Sequence, residues 1–196
     1  MQDRTGGATV IHLDTADPSA IEIAVVTSRG TMVMTFFPEK APNHVRRFLE
    51  LAKQGFYDGL AFHRVIRNFM IQGGCPNTRR GASATPGTGM PAGPPLQQEF
   101  NDVPHARGIV SMARGADLNS AGSQFFVVHA EHARHLDGKY TVFGTVEEGL
   151  EVLDEIAAVE CDFGAMGERS APRERIEIQR LELRPRQQRA PVAAAE

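Results

Sequence analysis

Residues 61–74 read Ala61-Phe62-His63-Arg64-Val65-Ile66-Arg67-Asn68-Phe69-Met70-Ile71-Gln72-Gly73-Gly74. The run is rich in aromatic and β-branched side chains and stops at two glycines. It is read as strand over 61–73 with a break near Arg67-Asn68. Upstream, Val45, Phe48, Leu49 and Ala52 recur at i, i+3, i+4 and i+7, which predicts a helix over 41–54. Pro42 suits its first turn and Gly55 the position just past its end. Further upstream, the β-branched run 21–27 and the run 31–37, joined by Ser28-Arg29-Gly30 and stopped by Pro38, predict an antiparallel hairpin.

Downstream of the opening run, residues 79–95 are Gly, Pro, Ala and Thr without periodicity. A loop of that length inside a compact domain usually carries function or moves. Strands are predicted over 108–113, 123–128 and 140–143, the last ended by Gly144. A second helix fits 150–159, striped by Leu150, Leu153, Ile156 and Ala157. The last strand is 175–183, where the alternation slips between Ile178 and Leu181 and predicts a β-bulge. Residues 1–20 and 184–196 read as a flexible extension and a disordered tail around a domain at 21–183. No internal repeat is present. Many short strands with two helices favour a barrel or sandwich over a doubly wound fold.

Bulk properties narrow the function classes. Of the 196 residues 41% are hydrophobic, enough for a core, and the formal charge of -3 argues against nucleic acid as a partner. No run approaches the ~20 apolar residues of a membrane span, and the first residues lack a signal-type apolar stretch. Cys75 and Cys161 are far apart and fit free thiols in a reducing compartment. A cytoplasmic monomer is therefore expected.

Several motifs stand in order along the chain. After Phe62-His63-Arg64-Val65-Ile66 and Phe69-Met70-Ile71-Gln72-Gly73-Gly74 come Gly87-Thr88-Gly89 and Gly108-Ile109-Val110-Ser111-Met112-Ala113. Gly122-Ser123-Gln124-Phe125-Phe126 and 136–144, Leu-Asp-Gly-Lys-Tyr-Thr-Val-Phe-Gly, complete the set. With these the chain resembles the cyclophilins, in their bacterial form, from about Ile21 to Leu183. The resemblance implies a mainly β fold, a closed eight-stranded antiparallel β-barrel capped by two α-helices, and peptidyl-prolyl cis-trans isomerase activity on proline-containing peptides and unfolded proteins. No cofactor and no metal are expected, because the reaction makes and breaks no covalent bond.

The resemblance assigns catalysis to Arg64, a permanently charged and rigid donor suited to a proline nitrogen that has lost its resonance. It lines a proline pocket with Phe69, Met70, Phe126 and Leu136. It sets Gln72 and Gln124 on the substrate backbone and offers the main chain at Ala113 and Arg114 as a strand edge. Strand parity alone puts Met70 and Gln72 on one face and Phe69 on the other. Three departures from the family pattern stand out. His135 replaces a common Trp that supports binding of the cyclic peptide cyclosporin, so weaker inhibition is expected. Tyr140 replaces a common His, and Arg114 a common Asn. The stretch 115–118 carries an extra residue.

Rival readings draw on other residues. His129, His132 and His135 could suggest a metal site, but i and i+6 diverge on a helix and no zinc spacing completes them. A Ser/His/Asp hydrolase lacks the Gly-x-Ser-x-Gly elbow. Cys75, near the presumed site, reads as a small buried thiol rather than a redox group. A non-catalytic proline-peptide module or chaperone-like factor is the non-enzyme alternative, against which the presence of Arg64 argues.

Overall fold

The computed structural model describes residues 17–82 and 84–187. After a 3-10 turn at Pro18–Ala20 come β1 (Ile21–Thr27), β2 (Gly30–Phe36), α1 (Pro42–Lys53), β3 (Leu60–Phe62), β4 (Arg64–Ile66) and β5 (Met70–Gly73). There follow β6 (Ile109–Met112), β7 (Phe125–Val128), β8 (Val142–Glu148), α2 (Leu150–Ala157), β9 (Cys161–Phe163), β10 (Arg169–Pro172) and β11 (Ile176–Pro185). Nine strands form one antiparallel sheet in the order β3-β11-β1-β2-β8-β6-β7-β5-β4. Its two outermost members are consecutive in the chain, separated by His63 alone, whose N–H still reaches Gln72 O at 3.0 Å. β3 and β4 are thus two halves of one bent stave, and the sheet closes on itself as a barrel. Counted that way the staves number eight, as expected; the segments number nine because the break at His63 is not visible in the sequence.

Alternation along each strand sends one set of side chains into the barrel. Val65, Ile71, Val110, Phe125 and Val127 point inward with Ile23, Val25, Met32 and Met34, all 0–1% exposed, and the barrel is filled. Helix α1 adds its expected stripe to that core. The Phe48 ring lies 4.9 Å from Tyr57, 5.3 Å from Phe125 and 5.2 Å from Phe143. Full burial of one such ring contributes ~1.5–3 kcal/mol. The start of α1 has no side-chain cap of its own. Glu99, from the connection between β5 and β6, takes that place by accepting from the backbone N–H of Asn43 and of His44.

Two strands run further than predicted. β8 does not end at Phe143 but runs through Gly144 to Glu148. A Cβ at Gly144 would sit 2.4 Å from Thr35 O, so this glycine permits a close strand approach rather than a stop. β11 extends to Pro185, and Arg184 pairs with the fully buried Glu22, so the first residues placed in the tail belong to the barrel. The bulge appears where the alternation slips: Val26 faces Arg180 and Thr27 faces Ile178. Residues 1–16 and 188–196 of the predicted tails lie outside the described residues. The small hairpin of β9 and β10, which lies against β4, was not anticipated at all. Among the described residues no helix is long and apolar enough to cross a membrane.

Candidate active site

Pairing fixes which side chains share the outer wall. Arg64 on β4 faces Gln72 on β5, Gln72 faces Phe126 on β7, and Phe126 faces Ser111 on β6. Directly paired residues project to the same side, so Arg64, Gln72, Phe126 and Ser111 form one transverse row. One step along, Ile66, Met70 and Val128 make a second row on that wall. These residues belong to a small apolar cluster separate from the barrel core, completed by Ala133 and Leu136 and flanked by Phe69, Ala113 and Tyr140.

The parity problem at Phe69 resolves in the turn. β4 ends at Ile66, Asn68 takes a left-handed φ of 59°, and Phe69 N–H donates to Ile66 O at 3.0 Å before β5 begins. Asn is among the few non-glycine residues that adopt this conformation readily. His129 Nδ1 accepts the Asn68 N–H at 3.0 Å and holds the turn. Phe69 therefore sits outside the strand and joins Met70 and Gln72 on one side.

A cavity of about 160 Å³ lies on this wall, lined by Arg64, Phe69, Met70, Gln72, Arg114, Phe126, Leu136, Tyr140 and Met166. Eight of these nine were expected from the sequence; Met166 was not. The floor is apolar, with Met70 1%, Phe126 5% and Leu136 7% exposed. Arg64 supplies the polar edge, its Nη1 at 3.9 Å from Met70 Sδ. Arg114 enters the lining with its side chain, whose guanidinium lies over the Tyr140 ring at 4.7 Å and donates to Lys139 O. His135 stands beside the wall, its ring 5.3 Å from that of Phe69. Ala113 packs under the cluster, with its N–H donating to Gln124 O.

Gln124 makes bonds that the sequence reading did not include. Its side chain does not line the cavity. Nε2 donates to Gly87 O and Gly89 O, both at 2.9 Å, and its oxygen accepts from Gln72 Nε2 at 3.1 Å. It braces the glycine loop and leaves Gln72 as the glutamine facing the pocket. Cys75 serves the same loop: its buried Sγ accepts the N–H of Gly87 at 3.2 Å and of Gly89 at 3.3 Å. That contact gives the buried thiol a structural place.

Two residues the sequence reading missed come from the β9–β10 hairpin. Glu168 Oε1 lies 2.5 Å from Arg64 Nε, and Met166 at the hairpin turn reaches the cavity rim while 78% exposed. The segment 161–172 has no apolar alternation, which hid both strands; Gly164 and Gly167, three apart, were the available turn signal. A second cavity of about 790 Å³, lined by His63, Gly87 and Phe163 among others, adjoins the first and shares Arg64 and Met166 with it.

Electrostatics around the wall favour neutral histidines. Burial pushes the His63 imidazole down to about 4. Burial also lowers His105, against the opposing pull of Asp137. His105 Nδ1 is 2.9 Å from Asp137 Oδ1 and Nε2 is 3.1 Å from Ser111 Oγ, a serine–histidine–aspartate contact. Ser111 is 0% exposed and its hydroxyl donates to Thr141 O, so no substrate reaches it; the group supports Phe126, on which His105 stacks. The three histidines of the metal reading go to different places: His129 to Asn68 and Asp154, His132 to a bridge with Ala106, His135 to Phe69.

A filled barrel cannot take a substrate into its lumen. The fold thus defines a β-barrel protein whose outer wall carries a shallow apolar seat edged by a guanidinium. The comparisons carry this to a family. Residues 22–183 match the model of the cyclophilin type peptidyl-prolyl cis-trans isomerases, and the chain belongs to that family. A peptidyl-prolyl cis-trans isomerase of Synechococcus elongatus is 49% identical over 129 residues, 65% of this chain and 82% of that protein. Peptidyl-prolyl cis-trans isomerase B of Bacillus subtilis is 48% identical over 115 residues, 59% of this chain and 75% of the other. A Cryptosporidium parvum cyclophilin, crystallised in the presence of the dipeptide Ala-Pro, superposes with a TM-score of 0.74 at 27% identity, covering 84% of this chain and 99% of its own. The chain is accordingly a peptidyl-prolyl cis-trans isomerase.

Proposed function

We propose that the chain accelerates rotation about X–Pro bonds by holding the proline ring in the cavity of Phe69, Met70, Phe126 and Leu136 while Arg64 stabilises the twisted imide. The planar C–N bond resists rotation by ~18–20 kcal/mol, although cis and trans before proline differ by only ~0.5–1 kcal/mol. Twisting removes the resonance and returns a lone pair to the proline nitrogen. A donor that meets this lone pair only in the twisted state lowers the barrier without tightening ground-state binding. A turnover of ~10³ s⁻¹ against a spontaneous ~10⁻² s⁻¹ corresponds to about 7 kcal/mol.

The observation that carries this reading is the guanidinium at the rim of an apolar cavity, with Nη1 beside Met70 Sδ. The cavity of about 160 Å³ holds several times the ~30 Å³ of one water, which suits a five-membered ring. The Ala-Pro dipeptide of the Cryptosporidium parvum relative supports extending the ligand class to this chain. The substrates are proline-containing segments of peptides and unfolded chains.

The test is an isomerisation assay on a short X–Pro peptide. Arg64→Ala should slow turnover at least tenfold and leave peptide affinity within a fewfold of wild type. Equal activity of the two proteins would remove Arg64 from the mechanism. If both bind peptide and neither turns it over, the chain is a binding module.

A further inference from the structure

We propose that Glu168, on the β9–β10 hairpin, is the positioning residue that fixes the plane of the Arg64 guanidinium against the proline cavity; this rests on the role given to Arg64 above. An arginine side chain is long and loses its catalytic geometry unless its guanidinium is held. Among the described residues, the Arg64 side chain makes two polar contacts, the weak one to Met70 Sδ and the charge-assisted one from Nε to Glu168 Oε1. Only the second can orient the plane.

The main chain that carries Glu168 is itself fixed. Gly164 N–H donates to Glu168 O at 2.8 Å and Gly167 N–H to Gly164 O at 3.0 Å, which closes a tight turn with Gly167 at φ 76°. The hairpin lies against β4, the strand that carries Arg64. The pair is partly withdrawn from water, with side chains 23% and 34% exposed. Arg64 also keeps the carboxylate below its ordinary range, so it is ionised at neutral pH.

The geometry distinguishes positioning from blockade. Glu168 engages Nε, the near side of the guanidinium, and lines neither cavity, whereas Arg64 lines both. Among the described residues the terminal nitrogens carry only the weak contact of Nη1 to Met70 Sδ, which leaves them able to face a substrate. A misplaced donor costs rate rather than ground-state affinity.

The experiment measures kcat and KM separately, by NMR exchange on an X–Pro tetrapeptide, for wild type, Glu168→Gln, Glu168→Asp and Arg64→Ala, with the Arg64 Nε–H resonance recorded in the first three. Glu168→Gln is expected to lower kcat about tenfold with KM changed less than twofold. Glu168→Asp should recover part of that loss, and the Nε–H signal, sharp and slow to exchange in wild type, should broaden in the Gln variant. Unchanged or faster turnover in Glu168→Gln, or a loss confined to KM, overturns the proposal. If Glu168→Gln does not fold, an averaged, rapidly exchanging Nε–H in the wild type overturns it and a sharp one supports it. Wild-type rates in Arg64→Ala instead defeat the reading of Arg64 on which the proposal stands.

Discussion

Gln72 donates from Nε2 to Gln124 Oε1 across 3.1 Å, and through that one bond the cavity wall is tied to the glycine loop at Gly87 and Gly89. Gln124 is 8% exposed, and of its three partners Gly89 is buried, Gln72 is partly buried and Gly87 is exposed. Gln124→Ala leaves two loop carbonyls and the Gln72 amide without a partner. A buried orphan group costs ~1–3 kcal/mol. The variant should lose about 2–4 kcal/mol in urea unfolding and most of its turnover, with hydrogen exchange accelerated around residues 87–89. Wild-type exchange in that loop would show that Cys75 suffices to hold it.

Glu99 is the distant equivalent of a helix cap. It accepts from Asn43 N–H, Asn43 Nδ2 and His44 N–H, and meets His44 Nδ1 at 2.6 Å. Burial works to raise its carboxyl, but these bonds together hold it below the ordinary range. Glu99→Gln keeps the shape and removes the charge at the helix start, and should destabilise by ~1–2 kcal/mol; Glu99→Ala should cost ~2–3 kcal/mol. Isomerase activity at low temperature should survive in both, since the cap lies outside the cavity lining.

Much of this architecture was legible because its signals are local. The stripe of α1, the first hairpin and the slip near Ile178 each follow from a repeat that one segment carries by itself. The outer-wall row was legible only in part. Met70 and Gln72 share a face by parity, but their meeting with Arg64 and Phe126 depends on the pairing of β5 with β4 and with β7. Phe69 needed the left-handed turn at Asn68 to join them. Glu168 lies 104 residues from Arg64 and in a segment with no strand pattern, so nothing local pointed to the pair. The bonds of Gln124 to the glycine loop were hidden for a related reason: the carbonyls it serves belong to a loop whose path has no periodic signal.

His135 provides a test of ligand choice. It is the middle residue of the 3-10 turn Arg134–Leu136 beside Phe69, where many relatives carry Trp. An imidazole offers less apolar area than an indole and no indole N–H. Cyclosporin should therefore inhibit this enzyme less tightly than Trp-bearing relatives, and His135→Trp should strengthen inhibition about tenfold with little change in turnover of a short peptide. Nanomolar inhibition of the wild type would contradict this account of the site.

Acid should unfold the protein earlier than its net charge suggests. His63 is held at about 4, and His44 and His105 below their ordinary 6.5, with burial the leading cause in each. The folded state thus binds fewer protons than the unfolded chain between about pH 6.5 and pH 4, so stability is intact above that window and falls as pH descends through it. A single such group contributes a slope of up to about 1.4 kcal/mol per pH unit. Below the ordinary carboxylate range Glu99, Asp137 and Glu168 add loss of the same sign, because hydrogen bonds lower each of them in the folded state. Urea midpoints should be level from pH 7 to 8 and decline steadily from pH 6.5 to 4.5. His63→Gln should flatten that decline if the variant folds. A midpoint independent of pH between 6.5 and 4.5 would mean that these imidazoles titrate normally in the folded protein.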